Sequence, residues 1–134
     1  MKYIFLNLKR FDVPASMGGV NRGDVWSWGR NIINGTKDIA QFSDAEFAVF
    51  LPEAHLMPAL GTAKDTGSPM HIGCQGVFRD DVAPGVNFGA FTTNRPAAAM
   101  AALGVDYTII GHTEERRDKL GILAEAGVND TAAV

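Results

Sequence analysis

The chain has 134 residues, enough for one domain with a core of its own. A hydrophobic fraction of 46% and a charged fraction of 20% are ordinary for a globular domain, and a formal charge of −3 gives no support for a nucleic-acid or anionic-membrane surface. One cysteine excludes an internal disulfide framework or a cysteine-based metal centre, and no apolar run is long enough for a signal peptide or a membrane span, so a cytoplasmic home is expected.

Residues 3–8 read as a short buried strand that ends on Asn7, Leu8, Lys9 and Arg10. Residues 11–24 carry Pro14, Gly18, Gly19 and Gly23 and are expected to form a long loop, a feature uncommon in compact domains unless it serves a function. Asp24 can cap a helix through Val25, Trp26, Trp28, Ile32 and Ile33, with Gly35 as its stop. A second strand is expected over 46–51, closed by Pro52, and a helix over 53–66 with Leu56, Leu60 and Ala63 on one side and Gly67 as its stop.

Residues 70–74 read as a third strand, followed directly by Gln75 and Gly76. The Gly-, Asp- and Pro-rich stretch 79–94 is a second long loop, after which Pro96 suits the first turn of an Ala-rich helix ending at Gly104. Tyr107, Thr108, Ile109 and Ile110 have the character of a strand buried on both faces. Gly111 breaks that run, His112 and Glu114 follow, and residues 117–126 are expected to form a last helix. Strand, loop and helix thus alternate four times, which implies a parallel sheet with right-handed crossovers in a single domain over 1–134.

Polar residues gather at the carboxyl ends of the first, third and fourth strands: Asn7 and Lys9, Gln75, then His112 with Glu114. That end of a parallel sheet is where α/β folds carry their chemistry. Each residue also has a plainer reading. A strand running into a helix-starting charge cluster gives the His112 segment, a lysine after a strand is commonly a solvated charge, an asparagine there is a turn former, and Glu114 suits a helix N-terminus. Cys74 reads as core, and His55 and His71 read as structural, since no cysteine or carboxylate is spaced to make either a metal ligand. The glycine-rich stretches match no phosphate-binding fingerprint.

Four segments taken in order resemble the triosephosphate isomerase family. Asn7-Leu8-Lys9 is similar to the family's Asn-Trp-Lys, Gly73-Cys74-Gln75 to its Gly-Ala-Gln, Gly89-Ala90-Phe91-Thr92 to its Gly-Ala-Phe-Thr, and Ile109-Ile110-Gly111-His112-Thr113-Glu114 to its Ile-Ile-Gly-His-Ser-Glu. The resemblance covers nearly the whole chain but only the first half of the family's barrel, and implies a parallel (βα)4 half of a (β/α)8 fold. Departures are visible. Leu8 replaces the usual Trp, Arg10 and Phe11 replace the next two polar or flexible positions, and Thr93 and Asn94 stand in place of Gly-Glu. Glu115 occupies a place normally held by Arg, which predicts a rewired ion pair.

The resemblance implies interconversion of dihydroxyacetone phosphate and glyceraldehyde 3-phosphate by proton transfer through an enediolate, with no cofactor. His112 would be the electrophile, an uncharged donor at a helix N-terminus, the arrangement for which this family is itself the standard illustration. Lys9 would supply fixed positive charge near the substrate's oxygen and phosphate, Asn7 a hydrogen bond to substrate or to Lys9, and Glu114 a second carboxylate. Phe91 and Thr92 would reach a neighbouring subunit. The family's base is a Glu after strand six and its phosphate loops follow strands six to eight, beyond the four strands read here. A fragment, a split half or a self-associating half-barrel is therefore expected, its partner a second copy or a complementary C-terminal half. The alternative is a non-catalytic half-barrel for assembly or small-phosphate binding.

Overall fold

The computed structural model describes residues 1–20, 23–128, 131, 132 and 134. Four strands, β1 (Lys2–Asn7), β2 (Ala45–Leu51), β3 (His71–Cys74) and β4 (Tyr107–Thr108), alternate with four helices, α1 (Trp28–Gly35), α2 (Leu56–Thr66), α3 (Ala97–Leu103) and α4 (Thr113–Glu125). The strands pair in parallel in the order β1-β2-β3-β4. This is the expected (βα)4 half of a barrel, with β1 and β4 as its open edges.

The helix boundaries follow local chemistry. Asp24 accepts a hydrogen bond from the Trp26 backbone and starts a 3₁₀ turn (Val25–Ser27) that runs into α1. Gly67 and Gly104 end α2 and α3 in the left-handed region, at φ +64° and +91°. Pro96 is the N-cap residue of α3, one place before the first turn the sequence suggests. The last helix begins at Thr113, four residues earlier than the expected 117, because His112 caps it.

Strand alternation sorts the side chains onto two faces. On the helix side, Val49 and Leu51 of β2 and Ile72 and Cys74 of β3 pack with Ile33, Leu56, Ala59 and Met100. The concave side carries Tyr3, Phe5 and Asn7, paired in register with Glu46, Ala48 and Phe50. His71 and Gly73 continue that face on β3, and Tyr107 on β4. In a flat sheet the outer strands would lie about 14 Å apart, three spacings of roughly 4.8 Å. Phe5 and Tyr107, on those two outer strands, have ring centroids 5.3 Å apart. The sheet is curled, so concave-face side chains of its two outer strands meet. Gly73 permits the inner packing, since a Cβ there would fall 2.4 Å from the Phe50 ring.

Two expectations about burial are corrected. β1 is not buried: Tyr3, Ile4, Phe5 and Leu6 are between 47% and 64% exposed. The fourth strand is not a four-residue strand closed on both faces, since β4 has two half-buried residues and Ile110 is 82% exposed. Both are edge strands, and an apolar run is buried only where neighbouring strands and helices cover it. The loop expected over 11–24 is present with a 3₁₀ turn (Ala15–Met17), although residues 21 and 22 lie outside the described residues.

Candidate active site

Asn7 is the last residue of β1, and its carboxamide organises the carboxyl end of the sheet. Its Oδ1 accepts the Lys9 backbone N–H at 2.9 Å and the Gln75 Nε2–H at 3.0 Å. Gln75, directly after β3, also donates to the Lys9 carbonyl at 3.1 Å and the Phe50 carbonyl at 3.4 Å. Lys9 is thus gripped through its backbone by two side chains. It needs that grip, because it sits at φ +50°, a left-handed conformation that costs a non-glycine residue about 1–2 kcal/mol.

His112 lies beyond β4 at the head of α4, and its Nδ1 accepts the Glu114 backbone N–H at 3.4 Å. An imidazole whose Nδ1 accepts carries its proton on Nε2, leaving that nitrogen as a donor. The Glu114 carboxylate is 3.7 Å from the same Nδ1 and its side chain is 84% exposed. Asn7, Lys9, Arg10, Gln75, His112 and Glu114 together line one pocket of about 490 Å³. The residues expected at the site are therefore brought together, from three strand tips. Among the described residues the Lys9 ammonium has no ion-pair partner.

Phe91 and Thr92 lie elsewhere. Phe91 packs on Phe78 with ring centroids 5.2 Å apart, and Thr92 lines an adjoining cavity of about 580 Å³. Glu115, where an arginine is usual, pairs with Lys119 one turn along α4 at 2.8 Å. His55 and His71 are bound by carboxylates distant in sequence, Asp12 at 3.2 Å and Asp106 at 3.0 Å. Among the described residues no group of three or more His, Cys, Asp or Glu side chains is placed to hold a metal ion.

Arg10 and Arg95 also line the pocket, and neither is among the site residues expected from the sequence. In an extended chain two successive side chains point to opposite faces, so Lys9 and Arg10 would not share a wall. The positive φ of Lys9 breaks that alternation. The two adjacent cations were the available signal, but the turn that unites them is set by Asn7 and Gln75, which only the fold brings together.

The fold and pocket define a class: a parallel half-barrel with a polar site at the carboxyl ends of its strands. A family model described as triosephosphate isomerase matches residues 27–126. The chain belongs to the triosephosphate isomerase family. It is 36% identical over 85 residues to the triosephosphate isomerase of Lactiplantibacillus plantarum, covering 63% of this chain and 31% of that protein. It is 46% identical over 50 residues to that of Streptococcus mutans, covering 37% of this chain and 18% of that protein. A third, from Alkaliphilus metalliredigens, is 34% identical over 87 residues. The matched stretches thus span less than a third of the length of these relatives. The family model begins after β1, so Asn7 and Lys9 join the site by geometry and not by that match. No described helix is long and apolar enough to cross a membrane.

Proposed function

We propose that this chain supplies the electrophilic half of a triosephosphate isomerase site, acting on dihydroxyacetone phosphate and glyceraldehyde 3-phosphate. The observation that carries this reading is the convergence of Lys9, His112 and Asn7 on one pocket in a chain of this family. His112 Nε2–H donates to the substrate oxygen on which enediolate charge develops, a preorganised donor of the kind that lowers such barriers most. The Lys9 ammonium, free of any ion pair among the described residues, attracts the phosphate and stabilises the same oxygen. Asn7 and Gln75 hold Lys9 in its strained turn, and Glu114 lies at the pocket edge as a second carboxylate.

The proton-abstracting carboxylate and the main phosphate loops come from the remaining strands of a complete barrel, whether on a complementary half or on further chain. Those strands would also cover the exposed apolar residues of β1 and pair its open edge. The site works in the cytoplasm, in a homo-oligomer to which Phe91 and Thr92 contribute contacts. The test is an isomerase assay of these 134 residues alone and then mixed with a C-terminal half-barrel from a relative. No turnover alone and turnover on mixing is the expected result. A folded complex with no turnover would instead favour a half-barrel that only assembles or binds small phosphates.

A further inference from the structure

Glu46 is the second residue of β2 and belongs to the concave side, where Tyr107 donates its hydroxyl hydrogen to Oε1. Among the described residues no donor meets Oε2, and no Lys, Arg or His lies within ion-pair distance of the carboxylate. The surroundings are aromatic. Phe5 packs on Tyr3, Phe50 and Tyr107 with ring centroids 6.2, 6.0 and 5.3 Å away, and Tyr3 and Phe5 are more than half exposed. A single carboxylate thus sits in an aromatic face that the four strands leave open.

No cation of this chain is placed to match it. No inward position of β1 to β4 is a Lys or Arg. His71 faces the same side, but its Nδ1 lies 3.0 Å from the Asp106 carboxylate. Lys2 alternates onto the opposite face and pairs with Asp44 at 2.9 Å. Lys9 and Arg10 stand at the carboxyl ends of the strands, whereas Glu46 lies four residues before Phe50, roughly 13 Å down β2.

Covering this face takes Glu46 out of water. A carboxylate closed in among aromatic rings without a countercharge is strongly disfavoured, so the covering element must bring a basic group. A second copy of the chain does not, since its own concave face adds another Glu46 and again no Lys or Arg. The matched stretches span less than a third of the relatives' length, so those proteins hold chain enough for the other strands. In a parallel barrel those strands meet the level of Glu46 near their amino ends.

We infer that the concave face docks a complementary half-barrel whose strands carry an inward-facing Lys or Arg near their amino ends, set against Glu46. This rests on the half-barrel reading and adds to it the kind of partner, with no part in turnover for Glu46. The test is a binding cycle by fluorescence anisotropy on the 134-residue chain. The probes are a labelled C-terminal half-barrel from a triosephosphate isomerase relative that bears such a basic residue, and the same half with that residue replaced by Met. Glu46→Gln should weaken binding of the basic half by about tenfold or more and change binding of the Met half by less than about threefold. Glu46→Asp, which keeps the carboxylate, should retain part of the preference. Equal effects of Glu46→Gln on the two halves, or tighter binding of the basic half, overturns the inference. A wild-type chain that binds neither half, whether it sediments alone or as a dimer of itself, overturns it too. An isomerase assay on the wild-type chain mixed with the basic half separates the two claims. Coupling without turnover leaves the Glu46 contact standing and removes the isomerase reading, and turnover without coupling does the reverse.

Discussion

Gln75 and Asn7 stand 68 residues apart in sequence, at the carboxyl ends of strands that are not neighbours, yet the Gln75 amide donates to Asn7 Oδ1 at 3.0 Å. The bond crosses over β2 and exists because the sheet is curled. It places two carbonyl-type acceptors, Asn7 Oδ1 and the Lys9 backbone oxygen, under one donor. Replacing Gln75 by Leu removes that donor from both, and a lost hydrogen bond of this kind costs about 1–2 kcal/mol. Urea denaturation should show a lower midpoint with an unchanged slope. An unchanged midpoint would mean that the bond is not formed.

Lys9 offers a test of backbone strain separate from its charge. At φ +50° alanine is strained and glycine is not, so Lys9→Gly should be more stable than Lys9→Ala by about 0.5–1 kcal/mol. Both remove the ammonium and should lose activity alike. Thermal unfolding of the pair decides the matter, and an alanine variant as stable as the glycine one would place Lys9 in an ordinary conformation.

Gly73 tests the packing of the concave face. An added Cβ would meet the Phe50 ring at 2.4 Å and the Tyr107 carbonyl at 3.1 Å, so Gly73→Ala must move Phe50 or the strand. Overpacking of this kind costs about 1–3 kcal/mol. The companion Gly121→Ala, with nothing within 4 Å of its added Cβ and a helical position, should be neutral or stabilising. Equal unfolding midpoints for the two variants would contradict the close approach.

Tyr107 gives the fold a pH dependence. The hydrogen bond that its hydroxyl donates to Glu46, then desolvation and the Glu46 charge, hold its ionisation above the ordinary tyrosine range. The folded state therefore keeps the phenolic proton more tightly than the unfolded chain does. The stabilisation is complete below the unfolded tyrosine pKa, and is lost as pH rises through the higher folded value. Unfolding free energy should fall more steeply on the alkaline side for the wild type than for Tyr107→Phe, which lacks the proton. Parallel profiles would show that the Glu46 bond is absent in solution.

Much of this is legible in the amino-acid sequence alone. Alternating apolar runs and glycine stops gave the four βα units, and the polar residues at strand ends gave Asn7, Lys9, His112 and Glu114. What stayed hidden depends on neighbours. The apolar pattern of Ile4, Leu6 and Ile110 signals burial, but burial needs a covering strand or helix, and these lie at the sheet edges. Asp12 and His55, 43 residues apart, form a buried pair that no local spacing announces. Arg10 looked like a substitution in a loop, and only the turn at Lys9 turns it inwards.

The central claim is that Lys9 and His112 act on one reacting oxygen. Isomerase turnover of the barrel reconstituted with a complementary C-terminal half tests it most directly, comparing wild type with His112→Gln and Lys9→Met. Removal of one preorganised oxyanion donor costs about 10²–10³-fold in kcat, and each variant should lose at least the lower of these while the assembly stays intact by sedimentation. Turnover within threefold of wild type in either intact variant would contradict the account.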